Sequence, residues 1–174
     1  MGGISEAEFA EVYLGRARAM RRTAYLLCGD WHRAEDLVQS AFARLYAAWP
    51  SIRDSGAVDA YLRKTLVRIY IDESRRAWHR ERPSNTIPDS AAPMSGDVED
   101  SIVLRQALEA VPRRQRACLV LRFYDDCSVE ATADALGCSV GTVKSNTARG
   151  LVALRAQLPP ELLPVTSQPA RSIL

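Results

Sequence analysis

Residues 83–100, PSNTIPDSAAPMSGDVED, divide the chain. They hold three prolines, one glycine, three serines and four acids with almost no bulky apolar side chain, too little to offset the entropy of ordering a packed segment. An acidic flexible linker is expected here, and any core must form before it or after it. On both sides apolar residues recur at steps of three and four, and no run alternates with period two for the length of a strand. The pattern predicts an all-α protein, two small helical domains joined by that linker.

In the first block Ala24, Leu27 and Cys28 share one helical face, and the pattern breaks at CGDWH. From Ala34 to Trp49, the residues Leu37, Val38, Ala41, Phe42, Leu45, Tyr46 and Trp49 make a strong amphipathic helix stopped by Pro50. Asp59 is expected to cap a third helix with Leu62, Leu66, Ile69 and Tyr70 as its apolar stripe. The polar side of that helix is basic. Residues 61–82 carry Arg63, Lys64, Arg68, Arg75, Arg76, Arg80 and Arg82, interleaved with Tyr61, Tyr70 and Trp78. Such a helix can track a single nucleic-acid strand, cations on phosphates and rings on unpaired bases. The plainer alternative is core aromatics beneath surface arginines. Asp72 and Glu73, embedded in the run, are expected to pair locally.

Behind the linker, Ser101–Val111 reads as a helix ended by Pro112, and Arg113–Phe123 as another with Ala117, Leu121 and Tyr124 facing inward. Val129–Leu136 and Val140–Leu154 follow around Gly137-Cys138-Ser139. Small Ala133, then Gly137 to close the first helix left-handed, then Val143 as anchor, is the spacing of a helix-turn-helix. Its second helix would bury Val140, Val143, Thr147, Leu151 and Leu154, leaving Thr142, Lys144, Ser145, Asn146 and Arg149 outward or flanking. Hydroxyls and amides suit base edges, and the two cations suit phosphate or guanine. A plain helix pair with a solvated face is the alternative. Val140–Arg155 holds no Asp or Glu, however, and a phosphate backbone explains that exclusion.

Net charge is only +2, but it is unevenly spread. Fourteen bases stand against eleven acids in residues 1–82, none against four in 83–100, and eight against five in 101–158. The four cysteines Cys28, Cys118, Cys127 and Cys138 lack the close spacing of a zinc or redox motif and read as reduced cytosolic thiols. Glu6, Glu8 and Glu11 near the N-terminus argue against a secretory signal, and no apolar run approaches the roughly 20 residues of a membrane span. There is no glycine-rich phosphate loop, no His-x-x-x-His and no nucleophile near a histidine. The only histidines are His32 and His79, read as surface or capping groups. The adjacent acids Glu35/Asp36 and Asp125/Asp126 are read as helix caps. No catalytic residue, metal site or cofactor is expected.

The stretches AYLLCGDWHRAEDLVQSAFARLYAAW and AYLRKTLVRIYIDESRR, then, past the linker, LEAVPRRQRACLVLRFYDDCSVEATADALGCSVGTVKSNTARGLVALR, resemble the sigma-70 superfamily. The likeness is to the small two-domain extracytoplasmic-function (ECF) type of bacterial RNA polymerase sigma factor. It covers about Phe9 to Leu158, and its most specific pieces are Asp36-Leu37-Val38-Gln39 with Phe42 and Leu45, and Gly141-Thr142-Val143-Lys144-Ser145. The resemblance implies a cytoplasmic transcription initiation factor without catalytic activity of its own. Its partners would be core RNA polymerase and promoter DNA, with an anti-sigma protein as a further candidate. By the same resemblance, residues 1–82 form a region 2-like domain, 83–100 the linker and 101–158 a region 4-like domain; the proline-rich residues 159–174 are expected to be a mobile tail. Asp36, Leu37, Gln39, Phe42, Leu45 and Tyr46 would meet polymerase. Arg63, Lys64, Arg68, Asp72, Arg75 and Arg76 would read and melt the −10 element, and Ser139, Thr142, Lys144, Ser145, Asn146 and Arg149 would read the −35 element. The chain departs from the pattern at Arg68, where related sequences commonly place Asn. The linker would thread the polymerase channels, or act as a passive tether. The rival reading is a stand-alone dimeric helix-turn-helix regulator of palindromic DNA.

Overall fold

The computed structural model describes residues 6–52, 54, 56–77 and 98–160, with the backbone alone for 74–77 and 98–101. Trp78, His79, Arg80, Arg82, residues 83–97 of the expected linker and the tail from 161 lie outside the described residues, as do the side chains of Arg75 and Arg76. Every described regular element is helical.

Helix α1 (Glu6–Cys28) opens with Glu6 and Glu8 at its positive end and stops at Gly29, whose φ of 75° suits glycine. Asp30 then caps α2 (Trp31–Ala48), its carboxylate accepting from Arg33 N at 2.8 Å, an interaction worth about 1 kcal/mol. Neither Glu35 nor Asp36 serves that purpose: Glu35 pairs with Arg21 at 2.7 Å, and Asp36 is exposed. Pro50 converts the end of α2 into a short 3-10 turn, Trp49–Ser51. The aromatic rings of Phe9 and Tyr13 on α1 meet Phe42, Tyr46 and Trp49 edge-on, with centroids 4.8 to 6.4 Å apart.

Helix α3 (Gly56–Ala77) begins three residues earlier than Asp59. Asp54 accepts from the Gly56 N–H at 2.9 Å, whereas Asp59 sits inside the first turn and pairs with Arg16 of α1. The expected stripe is buried, with Val58 and Val67 added to it. Glu73 lies 3.4 Å from Arg33, which α2 brings to it.

Helix α4 (Val98–Ala110) takes its first turn from the end of the acid-rich segment, a composition that suits the positive end of a helix. After Pro112 comes α5 (Arg113–Leu119), which widens into a π-type turn over Val120–Tyr124: Asp125 N donates five residues back to Val120 O at 3.0 Å. The widening rotates the end of the helix, so Tyr124, expected inward, is 40% exposed while Ala117 and Leu121 are buried. Helices α6 (Val129–Leu136) and α7 (Val140–Arg155) complete the chain.

The two halves share one continuous core. Ala24, Leu27, Leu37, Leu62 and Leu66 belong to the same cluster as Leu108, Val111, Ala117 and Leu121. A smaller cluster, Cys118, Ala133 and Val143, sits inside the helix-turn-helix. All four cysteines are free thiols. Among the described residues no helix is long and apolar enough to cross a membrane.

Candidate nucleic-acid and polymerase interfaces

The helix-turn-helix of α6 and α7 is bounded by three residue choices. Ser128 caps α6, accepting from Ala131 N at 3.0 Å. Gly137 closes it at φ 63°, ψ 43°, and Cys138 N donates back to Ala133 O at 3.0 Å, the glycine-based stop that the Ala133–Gly137 spacing predicts. Ser139 caps α7: its Oγ accepts from Thr142 N at 3.1 Å and lies 2.9 Å from Thr142 Oγ1. The Ser139 hydroxyl, expected at DNA, is thus engaged in holding the helix.

Beyond that cap α7 leaves Lys144 and Arg149 exposed, with Thr142, Ser145 and Asn146 half-buried beside them. Ser145 Oγ donates to Thr142 O at 3.1 Å. The inner side rests on Val143, which is fully buried, and on Gly150. Gly150 was not singled out in the sequence, although a glycine inside a helix costs up to about 1 kcal/mol and asks for a packing reason. Here a Cβ would meet Leu119 Cγ at 3.1 Å and Gln115 Cβ at 3.3 Å. Its bare backbone lets α5 and α7 approach, which fixes the tilt of the outer face.

The six residues assigned to polymerase fall on two sides of α2. Leu37, Phe42 and Leu45 are core, at 1%, 3% and 0% exposed. Asp36, Gln39 and Tyr46 are outside, joined there by Ser40, Ala43 and Arg44. The apolar members hold the helix and the polar ones, with the half-exposed Tyr46 ring, form its free surface.

On α3 the cations stand close to the second half of the chain. Arg63 Nε is 3.7 Å from Asp125 Oδ2, and Lys64 Nζ is 3.0 and 3.1 Å from the two Asp134 oxygens. Arg68 and Asp72 border a shallow cleft of about 280 Å³ with Val67, Ile71, Arg114, Leu136 and Gly137. Burial raises the Asp125 carboxyl above its ordinary value; the bond from Thr23 and the charge of Arg63 pull the other way. The sequence marks Asp125 only as a helix cap and Asp134 not at all. Their partners lie more than sixty residues away, beyond any periodicity.

The family description "Sigma-70 region 2" matches residues 13–80, and "Sigma-70, region 4" matches residues 101–154. The chain is 38% identical over 154 residues to the RNA polymerase sigma-E factor of Streptomyces coelicolor, covering 87% of this chain and 86% of that one. It is 31% identical over 143 residues to the ECF RNA polymerase sigma factor SigM of Mycobacterium tuberculosis, covering 81% and 72%. A solved structure of the sigma factor RpoE in complex with the anti-sigma factor NepR from Bartonella quintana shares the fold, with a TM-score of 0.72 at 24% identity over 86% of this chain and 96% of that one. The chain belongs to the sigma-70 family of RNA polymerase sigma factors, in its ECF branch. It directs polymerase to promoters, and the stand-alone regulator reading gives way to this one.

Proposed function

We propose that the three surfaces divide the work of promoter selection. The outer side of α7, with Thr142, Lys144, Ser145, Asn146 and Arg149, reads the −35 duplex; Arg63, Lys64, Arg68, Asp72, Arg75 and Arg76 of α3 hold the −10 strand; Asp36, Gln39 and Tyr46 of α2 meet polymerase over the buried Leu37, Phe42 and Leu45. The observation that carries this reading is α7: an acid-free helix of 16 residues, set off from α6 by the turn at Gly137 and Ser139, with Lys144 and Arg149 exposed. Residues 1–82 and 101–158 serve as the functional units, 83–100 as linker and 159–174 as tail. The factor works in the cytoplasm beside polymerase and has no catalytic activity of its own. An anti-sigma partner of the kind bound by the Bartonella protein fits the same division.

Transcription in vitro with purified core polymerase and a randomised promoter library tests it. The wild-type chain should enrich two separated elements. Arg149→Ala should alter the upstream element and Arg68→Ala the downstream one. The same element changing in both variants would overturn the division.

A further inference from the structure

Helix α7 turns an uncharged ridge outward. At about 3.6 residues per turn, Gly141, Ala148 and Val152 fall on one line down the helix, opposite the buried Val143 and Gly150; all three are exposed, Val152 at 67%. Lys144 and Arg155 flank that line on one side and Arg149 on the other. The hydroxyls nearest to it are engaged within the chain: Thr142 Oγ1 lies 2.9 Å from Ser139 Oγ, and Ser145 Oγ donates to Thr142 O at 3.1 Å. Gly141 adds a second observation. Its φ is not positive, and among the described residues a Cβ on it would meet only Ser139 Oγ, at an ordinary 3.8 Å. Neither backbone conformation nor packing therefore calls for glycine there, although glycine is a poor helix former.

We infer that this ridge is the part of α7 that faces the base edges of the −35 major groove, with Gly141 left bare for close approach and Ala148 seated on the C5-methyl group of a thymine. The inference rests on the proposed reading of the −35 duplex by α7 and adds to it the residue that selects thymine. A helix lying in the major groove has its middle toward the base edges and its flanks toward the two phosphate backbones. Cations on both flanks, with none along the middle, match that division of charge. The methyl side chain of Ala148 can pair with no donor or acceptor, so a hydrogen-bonding base edge pressed against it would be left unsatisfied. The thymine methyl is the apolar group that a base pair presents in this groove.

The test uses the full chain bound to core polymerase and promoter duplexes carrying the upstream element selected in the library. Each thymine of that element is replaced in turn by deoxyuridine, which lacks only the methyl group. One such replacement should weaken binding by wild type about fourfold, the contribution of one methyl group withdrawn from water. Ala148→Gly removes the contact and Ala148→Ser sets a hydroxyl against the methyl; both should bind the thymine and deoxyuridine forms alike, a loss of discrimination that general weakening of the helix would not produce. Gly141→Ala should raise the urea midpoint of the free chain yet weaken every promoter duplex, because its Cβ finds room in the fold and none against DNA. No deoxyuridine effect in wild type, an undiminished effect in both Ala148 variants, or unchanged duplex binding by a stabilised Gly141→Ala chain would overturn the inference. Loss of core-polymerase binding by Ala148→Ser would assign the ridge to a protein partner and overturn it as well. Lys144→Ala separates this inference from the reading beneath it. If that variant weakens every duplex while deoxyuridine has no effect, the thymine contact alone falls; if it weakens none, the reading of α7 falls first.

Discussion

Arg116 of α5 donates to the carbonyl oxygen of Leu27 at 2.7 Å, across 89 residues of sequence. The same guanidinium reaches Glu109 O at 2.7 Å and Val111 O at 3.1 Å. It therefore ties the C-terminal end of α1 to that of α4, where backbone carbonyls lack helical partners and a cation is favoured. Arg116 is only 8% exposed, so its fork of donors is the means by which these carbonyls are satisfied away from water.

Arg116→Met keeps much of the volume and removes every donor. Burial of unpaired carbonyls at three sites should cost about 2–4 kcal/mol, read as a lower urea midpoint. Arg116→Lys, a point donor in place of a fork, should recover only part of that loss. A midpoint unchanged in both would mean that water reaches these carbonyls.

Much of this architecture is legible in the sequence wherever one helix speaks for itself. The spacing Ala133–Gly137–Val143 carried the turn, the stripe Leu62–Tyr70 carried the buried side of α3, and the acid-free run Val140–Arg155 carried the outer side of α7. What escaped depends on a neighbour. Tyr124 faces out because the Val120–Asp125 turn is wider than 3.6 residues. Asp59 was drawn to Arg16, on another helix. Leu37, Phe42 and Leu45 were assigned to a polymerase contact, yet they lie inside the core, since a periodic stripe marks the buried side whichever function the helix has.

The free surface of α2 can be probed without touching that stripe. Gln39 and Arg44 are exposed, so changing both to Glu should leave thermal stability within about 0.5 kcal/mol. If this surface meets polymerase, the double variant should lose co-purification with core enzyme. Undiminished association of a folded double variant would remove α2 from the interface.

Along α7 the exposed cations should separate by kind of contact. Lys144→Ala should weaken duplex binding at every sequence and lower the salt slope by about 0.9, one phosphate's worth. Asn146→Ala or Arg149→Ala should change base preference, costing about 1–3 kcal/mol where a bidentate base contact is lost. Titrations of matched and mismatched −35 duplexes at several salt concentrations distinguish the two. Identical behaviour of the three variants would mean that the helix grips only the backbone.

Gly150 should control that whole surface from behind. Gly150→Leu drives a branched side chain into Leu119 and Gln115, already 3.1 and 3.3 Å from where a Cβ would begin. Overpacking of this kind costs about 1–3 kcal/mol and pushes α7 off α5. Duplex affinity should fall for all sequences together, with Lys144 and Arg149 intact. Full affinity in a destabilised variant would show that the tilt of α7 is set elsewhere.

Cys118 gives the chain a pH response at the alkaline end. Fully buried on α5 in a cluster with Ala133 of α6 and Val143 of α7, its thiol is pushed up to about 11 by loss of hydration, with Cys138 adding to the rise and Arg114 opposing it. In the unfolded chain the same thiol ionises near its ordinary value of 9.0. Between those values the unfolded state binds fewer protons than the folded one, so stability must fall as pH rises through roughly 9 to 11. The Cys118 share is about 2–3 kcal/mol at the upper end. Tyr70, fully buried, has its phenol raised as well and steepens the same limb. The contribution of Cys118 is therefore isolated by difference. Cys118→Ala should lower the urea midpoint at pH 7 through the small cavity it leaves, yet lose less stability than wild type between pH 9 and 11. Parallel pH curves for the two chains would show that this thiol keeps access to water.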